Sequence, residues 1–279
     1  MKLLKIAGFF FLVILIVVYY LFSTFTAPKS DTAVIKKFSK SIYKPIITEE
    51  VFKHYKYRKL TIKKDTTLPT LVFVHGTIGS SIDFIRYLKD SLLVTKANMI
   101  SYDRIGYNYN DNNSVQESIT FERNMLNHVI KDLDPKKTIL VGYSYGGPIA
   151  LAVQKKVKKI ILIAPAVYSK VEPMPWAINL YKSKLTRWLI PKIWKEASKE
   201  KISHKKDLQN FENNWKSSSN NIISIHGTSD WIVPYKNSIF LLNQFPKKQF
   251  KLVTIKNAGH GLVWNKFKEI KQQLLNQLD

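Results

Sequence analysis

"GYSYGG", residues 142–147, follows the apolar run TILV (138–141) and precedes PIALAVQ (148–154). A short, continuous apolar run reads as a buried strand, and the stretch after it as a helix. Between strand and helix, G-x-S-x-G has two readings. It is either a tight turn or the sharp elbow that lifts a nucleophilic serine above a sheet. The elbow needs small residues two before and two after the serine, here Gly142 and Gly146. It would leave Ser144 at a helix N-terminus, where the helix dipole favours developing negative charge. Six residues leave both readings open. A serine hydroxyl is a weak nucleophile and needs a base, which in turn needs an orienting carboxylate.

Working outward from this stretch, short apolar runs alternate with helical patterns from residue 51 onward. The expected strands are YKYRKLTIK (55–63), LVFV (71–74), MISY (99–102), TILVG (138–142), KIILIA (159–164), IISIHG (222–227) and FKLVTI (250–255). SVQE at 114–117 reads as a capping box, Ser114 with Glu117, opening a helix to about Leu133. WNKFKEIKQQLLNQL (264–278) reads as an amphipathic closing helix. The alternation predicts an α/β fold, a doubly wound and mostly parallel sheet with crossover helices. Residues 165–219 break the rhythm with Pro165, Pro173, Pro175 and Pro191 and four of the six tryptophans. This insertion reads as a helical subdomain packed on the body, or as a cap over a substrate site, and the two are compatible.

In sheets of this kind the partners follow in the order serine, carboxylate, histidine. Three histidines come after Ser144. His204, in KISHKKD, reads as a solvated residue of the insertion, and His226, inside a strand, as a packing residue. His260, in NAGHG, follows the last strand between Gly259 and Gly261 and is the expected base. Asp230 closes HGTSDWIVP at the end of a strand and is the expected carboxylate; its structural alternative is an Asx-turn or a cap for the helix after Pro234. Asp207 and Glu212 lie in the insertion, and Glu172 is distant from its strand. An oxyanion hole needs two backbone N–H donors. Tyr145 supplies the amide after the nucleophile, and Thr77, in FVHGTIGSS, supplies the second. His75 reads as a brace for that loop rather than a second base.

HGTIGS, SYDRIGY, GYSYGG, HGTSDWIVP and AGHG, in this order, resemble the α/β-hydrolase superfamily over roughly residues 55–279, with the insertion as its variable part. The style is that of small single-domain enzymes with a helical lid, such as esterases, C–C-bond hydrolases and prolyl aminopeptidases. The resemblance implies a Ser144–Asp230–His260 triad, no cofactor, no metal and a small-molecule acyl substrate. It also implies that Asp103 and Arg104 form an ion pair holding a loop. Serine at the nucleophile position argues against dehalogenase and epoxide-hydrolase chemistry. The missing third glycine of an HGG loop argues against tertiary-alcohol esterases. The expected activity is carboxylic ester cleavage by a carboxylesterase- or lipase-like serine hydrolase. C–C-bond hydrolysis and aminopeptidase activity are the alternatives within enzymes, and a non-catalytic membrane-surface binding protein is the alternative outside them.

The absence of cysteine among 279 residues excludes a disulfide framework, a thiolate metal site, a cysteine nucleophile and a diacylglyceryl anchor. Net charge is +24, yet only five of the 44 basic residues are arginine, the residue favoured for base-edge and bidentate phosphate recognition. No nucleic-acid motif accompanies the charge. It reads as a lysine-rich solvated surface with some attraction to anionic membranes, not as a nucleic-acid site.

At the N-terminus, MKLLK precedes IAGFFFLVILIVVYYLF, and no charge occurs from Ile6 to Pro28. A helix of that length spans about 34 Å, enough for a bilayer core. Tyr19 and Tyr20 sit near its far end, where interfacial aromatics belong. Phe25 and Pro28 around Ala27 suit signal peptidase poorly. The expected organisation is therefore an uncleaved signal anchor (1–28), a linker (29–54) and a hydrolase domain (55–279) with a cap at 165–219. The basic N-terminus predicts a cytoplasmic start and an extracytoplasmic body, although Lys29, Lys36 and Lys37 weaken the asymmetry.

Overall fold

Eight strands form one sheet in the computed structural model, which describes residues 2–62 and 65–278. They are β1 (Ile46–Phe52), β2 (Tyr55–Ile62), β3 (Thr70–Val74), β4 (Asn98–Tyr102), β5 (Thr138–Tyr143), β6 (Lys159–Ile163), β7 (Ile222–Gly227) and β8 (Phe250–Ile255). Their order is β1-β2-β4-β3-β5-β6-β7-β8. β1–β2 and β2–β4 are antiparallel, and every other pair is parallel. The expectations that fall on Met1, Lys63 and Asp279 lie outside the described residues.

The continuous apolar runs are explained by burial on both faces, as parallel strands between two helical layers require. Along β3, Val72 and Val74 enter one core with the helices Ile119–Val129 and Gly146–Leu151. Leu71 and Phe73 enter the opposite core with the helix Phe267–Leu275. β6 divides the same way, Ile160 and Leu162 against Ile161 and Ile163.

Two local expectations are corrected. The stretch 29–54 is no linker: it carries the helix Asp31–Lys37 and the edge strand β1, joined to β2 by a two-residue turn with Lys53 at φ 57°. IITEEVF is inconspicuous because an edge strand with one wet face tolerates charge. Glu49 and Glu50 are spent on cross-strand pairs with Lys56 and Lys59. The capping box at 114–117 does not form either. The helix begins at Ile119, and its N-cap is Ser118, whose hydroxyl accepts from the Phe121 amide at 3.3 Å. Ser114 instead donates to Glu196 of the insertion at 2.7 Å, so a tertiary contact takes the hydroxyl that a local cap would have used.

Between β6 and β7 the chain forms short helical turns and one long helix, Lys192–Gln209. One stripe of that helix ties it to the body. Glu196 accepts from Ser114 and the Val115 amide, Glu200 from Arg104, and Asp207 from the Ile119 amide. Spacings of four and seven residues place these carboxylates on one helical face. His204 lies on that face too. It is buried, with its Nε2 3.1 Å from the Ala166 carbonyl, so the solvated role expected for it is wrong. Burial and then Lys201 push its pKa down to about 3, which keeps the ring neutral.

The N-terminal helix Lys2–Thr26 meets the body near its end, where the Phe22 ring lies 5.2 Å from that of Trp194. Its stretch Lys5–Thr26, 22 residues, is long and apolar enough to cross a membrane, and none of it is buried in the protein.

Candidate active site

The residues singled out in the sequence all follow strands at one edge of the sheet: His75 and Thr77 after β3, Ser144 after β5, Asp230 after β7 and His260 after β8. Loops at the carboxyl ends of parallel strands converge there. Ser144 adopts φ 54°, a left-handed conformation that costs a non-glycine residue roughly 1 kcal/mol or more. The turn is tight enough that a Cβ on Gly142 would lie 2.3 Å from the Gly146 carbonyl oxygen, and one on Gly146 would lie 2.2 Å from the Val74 oxygen. Both obstacles are backbone and cannot swing away. Gly146→Ala is expected to destabilise the fold by about 3 kcal/mol, the upper range for overpacking, and a melting temperature equal to wild type would contradict this geometry.

His260 connects the loops. Its Nε2 is 3.0 Å from Ser144 Oγ, and its Nδ1 is 2.8 Å from Asp230 Oδ2. Asp230 makes two kinds of contact: Oδ1 accepts the amides of Ile232 and Val233 in an Asx-type turn, while Oδ2 faces His260. Burial alone would raise its pKa. Contacts with His226 and His260 and the Val233 amide outweigh burial and hold the carboxyl well below the usual carboxylate range. His226 is buried as expected for a strand histidine, but it also backs the carboxylate, with Nε2 3.4 Å from Asp230 Oδ2. Its ring is fixed by Ser238 and the Val233 carbonyl. The other carboxylates are committed elsewhere: Glu172 to Lys201 and Glu212 to Ser169.

Tyr143, a residue the sequence reading passed over, holds His260 in place. Its ring stacks on His260 at 5.2 Å, and its hydroxyl donates to the His260 carbonyl at 3.0 Å. The signal was the first tyrosine of GYSYGG, on the strand beside the serine. Ser144 and the His260 side chain are only 9% and 13% exposed.

The loop after β3 is held through its carbonyl. The Gly76 oxygen takes hydrogen bonds from His75 Nδ1 at 2.7 Å, Arg104 Nη2 at 3.1 Å and the Gly79 amide at 3.3 Å. His75 Nε2 in turn accepts from the Arg104 amide at 3.0 Å, so the histidine braces the loop. In a trans peptide the C=O and the following N–H point opposite ways. Anchoring the Gly76 oxygen in the body therefore turns the Thr77 N–H away from it. The Gly76 Cα lies against Ser144, whose Cβ is 2.8 Å from where a Gly76 Cβ would stand. Neither the Thr77 nor the Tyr145 amide donates to an acceptor among the described residues.

Asp103 and Arg104 do not pair with each other. Adjacent side chains on an extended segment point apart. Asp103 bonds Arg58 at 2.7 Å and the Ser81 amide at 2.6 Å, and Arg104 is fully buried between Glu200 at 2.6 Å and Glu122 at 3.3 Å. Glu200 also accepts from Thr77 Oγ1 at 2.6 Å and the Tyr107 hydroxyl at 2.9 Å, so an insertion residue reaches the loop beside Ser144. Two carboxylates thus share one guanidinium. Burial, and then Glu200, push Glu122 up to about 7 despite Arg104, and its Oε2 is buried without a partner among the described residues.

Below pH 4.5, the ordinary value for this carboxyl, both folded and unfolded chains keep the Glu122 proton. From there to about pH 7 only the folded chain keeps it, so its contribution to stability falls as pH rises. The full loss is about 3 kcal/mol. Glu122→Gln should flatten that part of the melting-temperature profile between pH 4.5 and 7. An unchanged slope in the variant would contradict the proton kept on buried Glu122.

A family model for the alpha/beta hydrolase fold matches residues 69–201, from β3 into the insertion helix. No curated protein matches the sequence. Solved structures match in shape. A bacterial membrane phospholipase A, described as a virulence factor, is 15% identical, with a TM-score of 0.66; the match covers 100% of this chain and 98% of that one. An esterase from Exiguobacterium antarcticum is 18% identical, with a TM-score of 0.63, covering 80% of this chain and 95% of that one. A meta-cleavage product hydrolase from Pseudomonas fluorescens is 15% identical, also with a TM-score of 0.63, covering 82% and 96%. The sheet order, the turn after β5 and the family model matched over residues 69–201 together show that this chain has the α/β-hydrolase fold.

Proposed function

We propose that the protein is a membrane-anchored serine hydrolase that cleaves carboxylic esters beneath a helical cap, residues 165–219. The observation that carries this reading is the unbroken contact chain from Ser144 Oγ through His260 to Asp230, 3.0 and 2.8 Å, with the serine held at φ 54° on the elbow.

Ser144 Oγ attacks the acyl carbonyl while His260 Nε2 takes its proton. Asp230 accepts from Nδ1–H, which fixes the tautomer and stabilises the imidazolium. The Thr77 and Tyr145 amides receive the oxyanion, which the anchored Gly76 carbonyl and the strained elbow have oriented in advance. Collapse of the intermediate expels the alcohol with the proton from His260. Water then attacks the acyl-enzyme, His260 takes a proton from it, and the acid leaves with Ser144 restored. Every step runs on side chains and amides of this chain.

The apolar helix Lys5–Thr26 supports anchoring, with the body outside the cytoplasm as the charge of the N-terminus suggests. The likeness to a membrane phospholipase over the whole chain is in keeping with esters drawn from a bilayer. The test is a substrate panel on the purified full chain: p-nitrophenyl esters of increasing acyl length, a vinylogous 1,5-diketone and a prolyl anilide. Ester turnover that exceeds the other two by orders of magnitude supports the reading. Turnover of the diketone or the anilide alone would replace it with C–C-bond or aminopeptidase chemistry.

A further inference from the structure

The segment 173–195 of the insertion contains no acidic residue and five basic ones, Lys182, Lys184, Arg187, Lys192 and Lys195. Among these it carries large apolar side chains that face water: Leu185 is 84% exposed, Trp176 76% and Trp188 70%. A domain surrounded only by water gains by burying such groups.

Three polar side chains of this segment bond its own backbone. Trp188 Nε1 donates to the Leu185 carbonyl at 2.9 Å, Thr186 Oγ1 to the Leu180 carbonyl at 2.7 Å, and Arg187 Nε to the Tyr181 carbonyl at 2.6 Å. The loop therefore offers apolar surface with its indole N–H and several carbonyls already satisfied, as entry into a poorly hydrated layer requires. Lysines around tryptophan and leucine are the composition of segments that lie in an anionic bilayer interface.

Its position names the bilayer. The segment leads directly into Trp194, whose ring lies 5.2 Å from that of Phe22 on the apolar N-terminal helix. Phe22 is four residues before Thr26, the last residue of that helix, or about 6 Å along its axis. Just beyond the helix, the Lys29 carbonyl and Asp31 are bound by Arg58 of β2 at 2.6 and 2.9 Å. The body is thus tied to the chain where the helix ends, and the segment that carries the exposed tryptophans meets the helix at Trp194.

We propose that residues 174–189 form a second membrane contact, a basic and aromatic patch of the insertion seated in the anionic headgroup layer of the bilayer that the N-terminal helix crosses. It holds the insertion against lipid, and it stands whether or not Ser144 is catalytic.

The lack of native cysteine makes the test direct. Leu185→Cys and Trp176→Cys in the full chain are each labelled with the fluorophore NBD and reconstituted in phosphatidylglycerol–phosphatidylcholine vesicles. Lys248→Cys, exposed in the turn before β8 at the opposite edge of the sheet, is the reference. Doxyl-labelled lipid should quench NBD at 185 and 176 severalfold more than at 248, and aqueous iodide should quench it severalfold less. Equal iodide access at all three positions would overturn the proposal. Protection from iodide without doxyl quenching would also overturn it, because protein rather than lipid would then cover the patch.

Discussion

Ser144→Ala should lower kcat/KM for an activated ester by about 10⁴-fold or more while leaving the folded chain almost as stable as before. The loss is large because the proposed mechanism has Ser144 form the covalent bond, and among the described residues no other hydroxyl bonds His260 Nε2. The fold should barely respond, because alanine fits the same elbow and loses one hydrogen bond, that to His260. The strained φ of 54° adds a second readout. Glycine relieves that strain, so Ser144→Gly should be equally inactive yet about 1 kcal/mol more stable than Ser144→Ala. If Ser144 were only a small residue in a tight turn, both variants would keep their activity. Retention of near-wild-type turnover by either one would end the assignment.

The largest effect on stability is expected at Glu200. It reaches from the insertion to Arg104, Thr77 and Tyr107, and its carboxylate accepts four hydrogen bonds of 2.6 to 3.0 Å from them. Glu200→Leu would leave the Arg104 guanidinium fully buried with only Glu122 beside it. Removing one partner from a buried pair typically costs about 3–5 kcal/mol. Glu200→Gln keeps the shape and an acceptor oxygen, and Glu122 can ionise to balance Arg104, so its cost should be clearly smaller. In both variants the Thr77 hydroxyl loses its charged acceptor and the Gly76 carbonyl is held by a less constrained arginine. The consequence is a lower kcat with little change in KM, since the oxyanion donors act on the transition state. Denaturant melts and ester kinetics read the two effects separately. A Glu200→Leu variant within 1 kcal/mol of wild type would contradict the buried clamp.

The places of Ser144, Asp230 and His260 in the fold were readable because each follows a strand run and sits among turn-forming residues, a signal local to the sequence. The parallel sheet was readable for the same reason, since a strand buried on both faces is apolar throughout. What stayed hidden depends on contacts between distant segments. Glu200 meets Arg104 from 96 residues away, and Arg58 meets Asp103 from 45. Nothing near these residues announces the pairing. Asp103-Arg104 looked like one ion pair and proved to be halves of two. His204 looked solvated because lysines flank it, but the helix turns those lysines outward and the histidine inward. β1 was missed because its glutamates suit an edge strand, and Ser114 misled because its hydroxyl serves the insertion instead of a helix end.

The most direct test of the central claim is to label the purified full chain with a fluorophosphonate and map the adduct by peptide mass spectrometry. A single adduct on Ser144 is expected, absent in Ser144→Ala and formed at least 10²-fold more slowly in His260→Ala, where the serine has no base. No adduct, an adduct on another serine, or labelling of Ser144 that is indifferent to His260 would contradict it.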